Sequence, residues 1–125
     1  MRPDQAPADL GFPRSARLTS SAQFNAVFKQ RFKTFRSPPV RILCKPNRMP
    51  TARLGLVIAK RVIPKAHDRN RIKRVIRDVF RCERAKLPHW DLVVQLTGHA
   101  SAKEVRAAMD QLMQDIERHE AARST

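Results

Sequence analysis

Acidic residues are scarce in this sequence, and they are distributed unevenly. The chain has 11 Asp and Glu against 26 Lys and Arg, which gives a formal net charge of +15. No carboxylate occurs between Asp9 and Asp68, whereas from His99 onward five acidic residues outnumber four basic ones. Because clustered cations attract polyanions and release counterions on binding, this distribution predicts a polyanionic partner for the first two thirds of the chain. A basic surface that serves only solubility is the alternative.

Long hydrophobic runs and paired cysteines are also missing. The longest apolar runs, 54–59 and 92–94, are far shorter than a membrane span, and the N-terminal MRPDQAPADLGFP has no apolar region typical of a secretory signal. Cys44 and Cys82 lie 38 positions apart and form neither a metal-ligand pair nor a redox motif, which favours reduced thiols. We therefore expect a cytoplasmic protein that does not associate with a membrane.

Motifs of protein-based catalysis are absent from the sequence. It contains no paired carboxylate cluster, no Gly-rich phosphate loop and no nucleophile motif. The histidines have no metal-binding spacing; they are His67, His89, His99 and His119. We predict no catalytic and no metal-binding residue in this chain. A pair of histidines acting as in a protein ribonuclease is an alternative that the sequence leaves open.

Composition and local signals predict one small α+β domain with a single core. A hydrophobic content of 42% over 125 residues supports one folded domain. We expect a flexible tail at 1–11, the domain at 12–120 and a short tail at 121–125. Proline and alanine dominate the first of these segments, which is typical of a mobile terminus.

Capping motifs and hydrophobic periodicity predict the order α-β-β-β-α-β-α around a mixed central sheet packed by helices. Ser20 with Gln23 and Ser101 with Glu104 form capping boxes, and Asp68 is the predicted N-cap of the middle helix. The predicted elements are a helix at about 21–31, strands at about 33–36, 40–45 and 53–60, an amphipathic helix from 68, a strand at 90–96 and a final helix of about twenty residues.

The middle helix concentrates positive charge on one face. Its apolar residues recur at helical spacing from Ile72 to Phe80, so the opposite face carries arginines and a lysine. Such faces normally alternate Glu with Lys, but here the acidic partners are Asp78 and Glu83. Arginine is suited to holding phosphate, because its planar guanidinium donates two hydrogen bonds at once. A merely solvated helix face is the alternative.

Alternation along two strands predicts a groove on one face of the sheet. In residues 53–61 the bulky side chains point to one face, while Gly55, Val57, Ala59 and Arg61 point to the other. The preceding strand likewise places Arg41, Leu43 and Lys45 on one face. Small and basic residues beside a helix that carries two phenylalanines are typical of a channel for a single nucleic-acid strand. Ordinary core packing of Phe24 and Phe28 is the alternative.

Two segments resemble the bacterial ribonuclease P protein component. They are FPRSARLTSSAQFNAVF at 12–28 and RLGLVIAKRVIPKAHDRNRIKRVIRDVFR at 53–81, and Arg69-Asn70-Arg71 followed by Ile72-Lys73-Arg74 matches the signature helix of that family. The resemblance covers about residues 12–116. It implies a basic subunit that joins a catalytic RNA subunit, and the two together remove the 5′ leader from precursor tRNA. It also implies Mg²⁺ held mainly by the RNA, and a left-handed β-α-β crossover, which is rare.

The resemblance assigns two sets of residues. Those that would face the RNA subunit are Arg69, Asn70, Arg71, Lys73, Arg74 and Arg77. Those that would line the leader groove are Phe24, Phe28, Arg41, Leu43, Val57, Ala59 and Arg61. The strand at 90–96 departs from the family pattern, because it lacks the basic residues that many members carry just after the hydrophobic run. A structural RNA-binding protein of ribosomal type is the alternative function, and no DNA partner is expected.

Overall fold

The computed structural model describes residues 14–124. Within this range three α-helices and four β-strands follow one another in the predicted order. They are α1 (Ser21–Gln30), β1 (Lys33–Ser37), β2 (Val40–Pro46), β3 (Arg53–Val57), α2 (Ala66–Glu83), β4 (Trp90–Leu96) and α3 (Ala102–Ser124). Short 3-10 helices occupy Arg14–Ala16 and Arg84–Lys86. The predicted tail at 1–11 lies outside the described residues, and the helix α3 continues past residue 120.

The four strands form one mixed sheet in the order β1-β2-β4-β3. β2 pairs antiparallel with both β1 and β4, whereas β3 pairs parallel with β4. The parallel pair is joined through α2, so β3, α2 and β4 make the β-α-β unit whose left-handed crossover stays a prediction. The α+β class and the mixed sheet are confirmed.

Both predicted capping boxes form. The Gln23 N–H donates to the Ser20 hydroxyl (3.2 Å) while the Ser20 N–H donates to the Gln23 side chain (3.1 Å). The Ser101 box is built in the same way with Glu104. The predicted N-cap at Asp68 is wrong: α2 begins at Ala66, after an extended Lys65 that makes no side-chain cap bond. Asp68 instead lies in the first turn, where a carboxylate is also favoured by the helix dipole.

Alternation along the strands gives each face of the sheet its own hydrophobic cluster. One face packs against α2 and α3, and residues such as Ile42, Leu92 and Phe80 are buried there. The opposite face carries a smaller cluster, made of Leu18, Val27, Leu43 and Val93, with Phe24, Phe28 and Val57 packed around it. That smaller cluster docks α1 on the sheet.

The third strand is shorter than predicted. β3 ends at Val57, and the N–H groups of Val62 and Ile63 donate to the Ala59 carbonyl oxygen at 3.0 and 3.1 Å. The chain therefore turns just where the alternating pattern would have continued. Ala59 and Arg61 belong to this connection rather than to a strand, so their predicted placement by strand alternation is wrong.

Both cysteine thiols are free; Cys44 is buried in β2 and Cys82 is exposed on α2. Among residues 14–124, no helix is long and apolar enough to cross a bilayer.

Two acidic side chains meet where the end of α2 packs on α3. Partial burial and the neighbouring Glu83 raise the pKa of Glu117, and Lys86 opposes this shift. A raised native pKa means that the folded state favours the protonated carboxyl, so ionisation at higher pH costs stability. We expect Glu117→Gln to raise Tm at about pH 8, with a gain that shrinks towards about pH 5. Glu120→Gln, beside Arg123, is the control in which thermal melts should show no such gain.

Candidate nucleic-acid interface

The outer face of α2 is open and cationic. Ile72, Ile76 and Phe80 are buried on its inner face, which turns the signature side chains outward. Asn70, Arg71, Arg74 and Arg77 are exposed and Lys73 is half-buried. Asp78 lies among them, but its carboxylate accepts hydrogen bonds from Arg81 and Arg106, and these bonds lower its pKa. Asp78 is therefore already paired with two arginines.

Arg69, the first arginine of the signature, also has a role within the fold. One of its terminal nitrogens donates to the carbonyl oxygens of Ile63 (2.9 Å) and Pro64 (2.8 Å). These carbonyls belong to the turn that leads into α2, so Arg69 ties the turn to the helix. The guanidinium has further donors, but its position is set by this contact. Sequence periodicity gave no sign of it.

The sheet face under α1 is built in three cross-strand rows, because register aligns side chains of β2, β4 and β3. The middle row is apolar, and it contains Leu43, Val93 and Gly55. The first row contains Lys45, Asp91 and Arg53, and the third contains Arg41, Gln95 and Val57. We call these three rows the groove floor.

The helix α1 packs closely against the middle row at Gly55. A Cβ atom added to this glycine would lie 2.6 Å from Cε1 and 2.8 Å from Cζ of Phe24, and 3.0 Å from Cδ1 of Leu18. Real Cβ atoms do not approach other carbons that closely, so any side chain at this position would have to displace the ring of Phe24. Phe24 thus sits directly on the backbone of β3. The prediction that a small residue forms the floor at this position agrees with this geometry.

One open cavity lies beyond Phe28, over the third row. It is lined by Phe28, Arg31, Thr34, Arg36, Arg41, Leu43 and Gln95. Arg36 and Arg41 face each other directly across the β1–β2 ladder, and the Arg41 Nε donates to Gln95 Oε1 at 2.7 Å. Like charges opposite one another are unfavourable in a sheet unless an anion lies between or above them. This end of the groove therefore combines an aromatic ring with cations suited to phosphate.

A second cavity lies on the other side of α1, around Phe24. Its lining includes Arg17, Phe24, Gly55, Lys73 and Arg77. Lys73 and Arg77 come from α2, so the cationic face of that helix reaches the groove here. Partial burial, and then the nearby charge of Arg17, lower the pKa of Arg77. Both effects disfavour the positive charge, and the negative charge of a bound phosphate would oppose them.

The first row of the groove floor contains a buried ion pair between Arg53 and Asp91. Asp91 is 4% exposed, and its two carboxylate oxygens accept from Arg53 Nε at 2.7 Å and Arg53 Nη2 at 2.8 Å. Asn47 Nδ2 donates to the same carboxylate at 2.8 Å. Hydrogen bonding to Asp91 raises the pKa of Arg53, although burial opposes this. The negative charge within the floor is thereby neutralised by its own neighbours.

The structure brings most of the predicted leader-groove residues together. Phe24, Phe28 and Val57 pack around the small cluster under α1, Leu43 is buried in it, and Arg41 borders the cavity beside Phe28. Both phenylalanines are half-buried and each lines a cavity, so each ring combines packing with an accessible face.

The sequence interpretation missed several cavity residues. They are Arg17, Arg31, Thr34, Arg36 and Gln95. Alternation along β1 and β4 would have placed Thr34, Arg36 and Gln95 on one face. The order of the strands was needed to show that this face is the one bearing Arg41.

No histidine among the described residues lines either of the two cavities beside α1. The ring of His119 packs 5.6 Å from that of Phe35 and 6.1 Å from that of Trp90, whereas His99 lines a cavity at the start of α3. Within residues 14–124, no three His, Cys, Asp or Glu side chains are grouped so that they could hold a metal ion.

Comparison with known proteins agrees with this geometry. The family model described as Ribonuclease P matches residues 12–117. The ribonuclease P protein component of Pasteurella multocida is 41% identical over 108 residues, which cover 84% of this chain and 90% of the relative. That of Photorhabdus laumondii is 39% identical over 110 residues, which cover 88% and 92%.

Solved structures show the same fold. The RNase P protein of Staphylococcus aureus superposes with a TM-score of 0.72 at 19% identity, covering 80% of this chain and 94% of that one. The RNase P protein of Thermotoga maritima superposes with a TM-score of 0.68 at 28% identity, covering 80% and 96%. The family match over most of the chain, the relatives near 40% identity and the shared fold lead to one assignment. This chain belongs to the ribonuclease P protein component family, the protein subunits of the ribonucleoprotein that processes the 5′ ends of tRNA.

Proposed function

We propose that this chain binds the catalytic RNA subunit through the outer face of α2 and the 5′ leader of precursor tRNA through the groove under α1. The observation that carries the proposal is the cavity in which Phe24 of α1 meets Lys73 and Arg77 of α2. It joins the two surfaces into one continuous cationic path. A subunit built in this way holds the leader at a fixed position relative to the RNA.

The groove suits a single strand better than a duplex. Its half-buried phenylalanines offer stacking faces that any base can use, and arginines at both ends can follow the sugar–phosphate backbone. The residues we assign to the leader are Phe24, Phe28, Arg41, Leu43 and Val57, together with Arg31 and Arg36. Ala59 and Arg61 keep the assignment that the resemblance gives them, from the connection after β3.

The contribution of this subunit to catalysis is binding and orientation. Mg²⁺ bound by the RNA subunit would supply the activated nucleophile for cleavage. The described acidic and histidine side chains do not fit a protein-held metal centre, so we assign no such site to this chain. Holding the leader in the groove favours precursor over mature tRNA, since mature tRNA has no leader to contribute binding energy.

Phe28→Ala tests the leader groove. We expect the variant to fold and to lose about 1 to 3 kcal/mol, or roughly 5- to 150-fold, of affinity of the holoenzyme for leader-bearing precursor tRNA. Affinity for leaderless tRNA should be unchanged, because the lost contact is with the leader. Phe24→Ala should act in the same direction but cost more stability, since its ring packs on Gly55.

Val27→Ala is the matched control on the same helix. Val27 is fully buried between the phenylalanines, so its truncation should lower Tm and leave the preference for a leader intact. The groove assignment would be wrong if both phenylalanine variants lost stability and kept the wild-type ratio of the two affinities.

A further inference from the structure

A cavity separate from the groove lies where α2 and α3 both begin. Asp68 and Arg71 line it from the first turns of α2, and His99, Ser101 and Lys103 line it from the β4–α3 connection and the start of α3. Buried Ile72 and Ala100 complete its wall. Two helices distant in sequence thus place polar and charged side chains around one space.

The fixed charges around this cavity are mainly positive. Arg71 and Lys103 are both exposed and come from different helices. Glu104, the acidic neighbour of Lys103, accepts a hydrogen bond from the Ser101 N–H at 2.8 Å and donates its own N–H to the Ser101 hydroxyl at 3.2 Å. Hydrogen bonds from the backbone and the side chain of Ser101 lower the pKa of Glu104 and hold its carboxylate in the capping box. Among the described residues that line the cavity, Asp68 is the one carboxylate.

The backbone adds to the positive potential. The first N–H groups of a helix have no partner within it and carry partial positive charge, so two helix starts beside one cavity favour an anion there. The N-cap of α2, Lys65, makes no side-chain cap bond that would satisfy them. This contribution reinforces the arginine and the lysine.

We propose that this cavity holds a backbone phosphate of the ribonuclease P RNA subunit, with Arg71 and Lys103 as its cationic contacts. The inference rests on the proposed function of α2 and extends it, because Arg71 belongs both to the outer face of α2 and to the cavity. The RNA-binding surface then continues from α2 across to the start of α3. RNA is the partner that fits, since the cavity is continuous with the face assigned to that polyanion.

Lys103→Ala and Asp68→Asn should change RNA binding in opposite directions. Binding of the RNA subunit transcribed in vitro is measured between about 50 and 200 mM salt. Lys103→Ala should weaken binding and lower the slope of log affinity against log salt by about 0.7 to 0.9, as one lost phosphate contact predicts. Asp68→Asn should strengthen binding, because it removes the carboxylate that faces the phosphate. Lys103→Arg should restore the wild-type slope.

Arg118→Ala is the charge-matched control. Arg118 is exposed on the same helix, roughly 20 Å further along its axis, so its loss should leave the salt slope unchanged. A Lys103→Ala variant that folds and binds like Arg118→Ala would overturn the cavity assignment. Arg74→Ala separates the two proposals. If Arg74→Ala weakens RNA binding and Lys103→Ala does not, the cavity proposal is rejected and the proposed role of α2 is retained. If the wild-type protein failed to bind the RNA subunit, both proposals would be rejected.

Discussion

Asp91→Ala is expected to lower the free energy of unfolding by about 3 to 5 kcal/mol, the largest effect of any single substitution of a polar residue considered for this protein. Asp91 is buried at the edge of the groove floor, and it accepts two hydrogen bonds from Arg53 and one from Asn47. Truncation would leave the Arg53 guanidinium, whose side chain is 15% exposed, without its counter-charge. Urea denaturation near neutral pH, followed by circular dichroism, measures the loss.

Asp78→Ala is the matched control for this prediction. Asp78 also accepts bonds from arginines, but the side chains on both sides are more than a third exposed. Exposed ion pairs contribute about 0.2 to 1 kcal/mol each, so the control should lose far less than Asp91→Ala. Equal losses in the two variants would mean that burial does not strengthen the Arg53–Asp91 pair.

Removing the charge from the outer face of α2 is expected to have the largest effect on RNA binding. The triple replacement of Arg71, Lys73 and Arg74 by alanine should weaken association with the RNA subunit and reduce its salt slope by about 2 to 3. Arg69 is left in place, because its contacts with the carbonyls of Ile63 and Pro64 hold the start of α2. The buried stripe of α2 is untouched, so circular dichroism and Tm should stay near wild type.

The control for the triple variant removes three cations elsewhere. Replacing Lys86, Arg118 and Arg123 by alanine changes the net charge equally but alters the 3-10 helix after α2 and the C-terminal part of α3. If both triple variants lost the same affinity with the same change of salt slope, binding would follow net charge alone and the α2 face would have no special role.

Elements with strong local chemistry were predictable from the sequence. The capping boxes at Ser20 and Ser101 mark helix starts correctly because each is closed by residues three positions apart. The strand at 90–96 was bounded correctly because Pro88 and Gly98 flank a short segment centred on the apolar run 92–94. The start of α2 was not, since an aspartate is favoured both at an N-cap and in a first turn.

Features that depend on strand pairing were beyond the sequence. Insertion of β4 between β2 and β3 brings Asp91 beside Arg53 and Gln95 beside Arg41, contacts between residues 38 and 54 positions apart. No local pattern encodes that order, because alternation specifies faces but not neighbours. The role of Arg69 was likewise hidden, since helical periodicity says nothing about a side chain that reaches back to the preceding turn.

The contact between Phe24 and Gly55 couples these two positions energetically. A side chain at 55 would occupy the space of the phenyl ring, whereas a smaller residue at 24 would leave the glycine under an empty space. Either change alone is unfavourable, so the effects of substitutions at the two positions should not be additive. The aromatic face of the groove thus depends on the bare backbone beneath it, and a replacement at either position is expected to reshape the entrance to the groove.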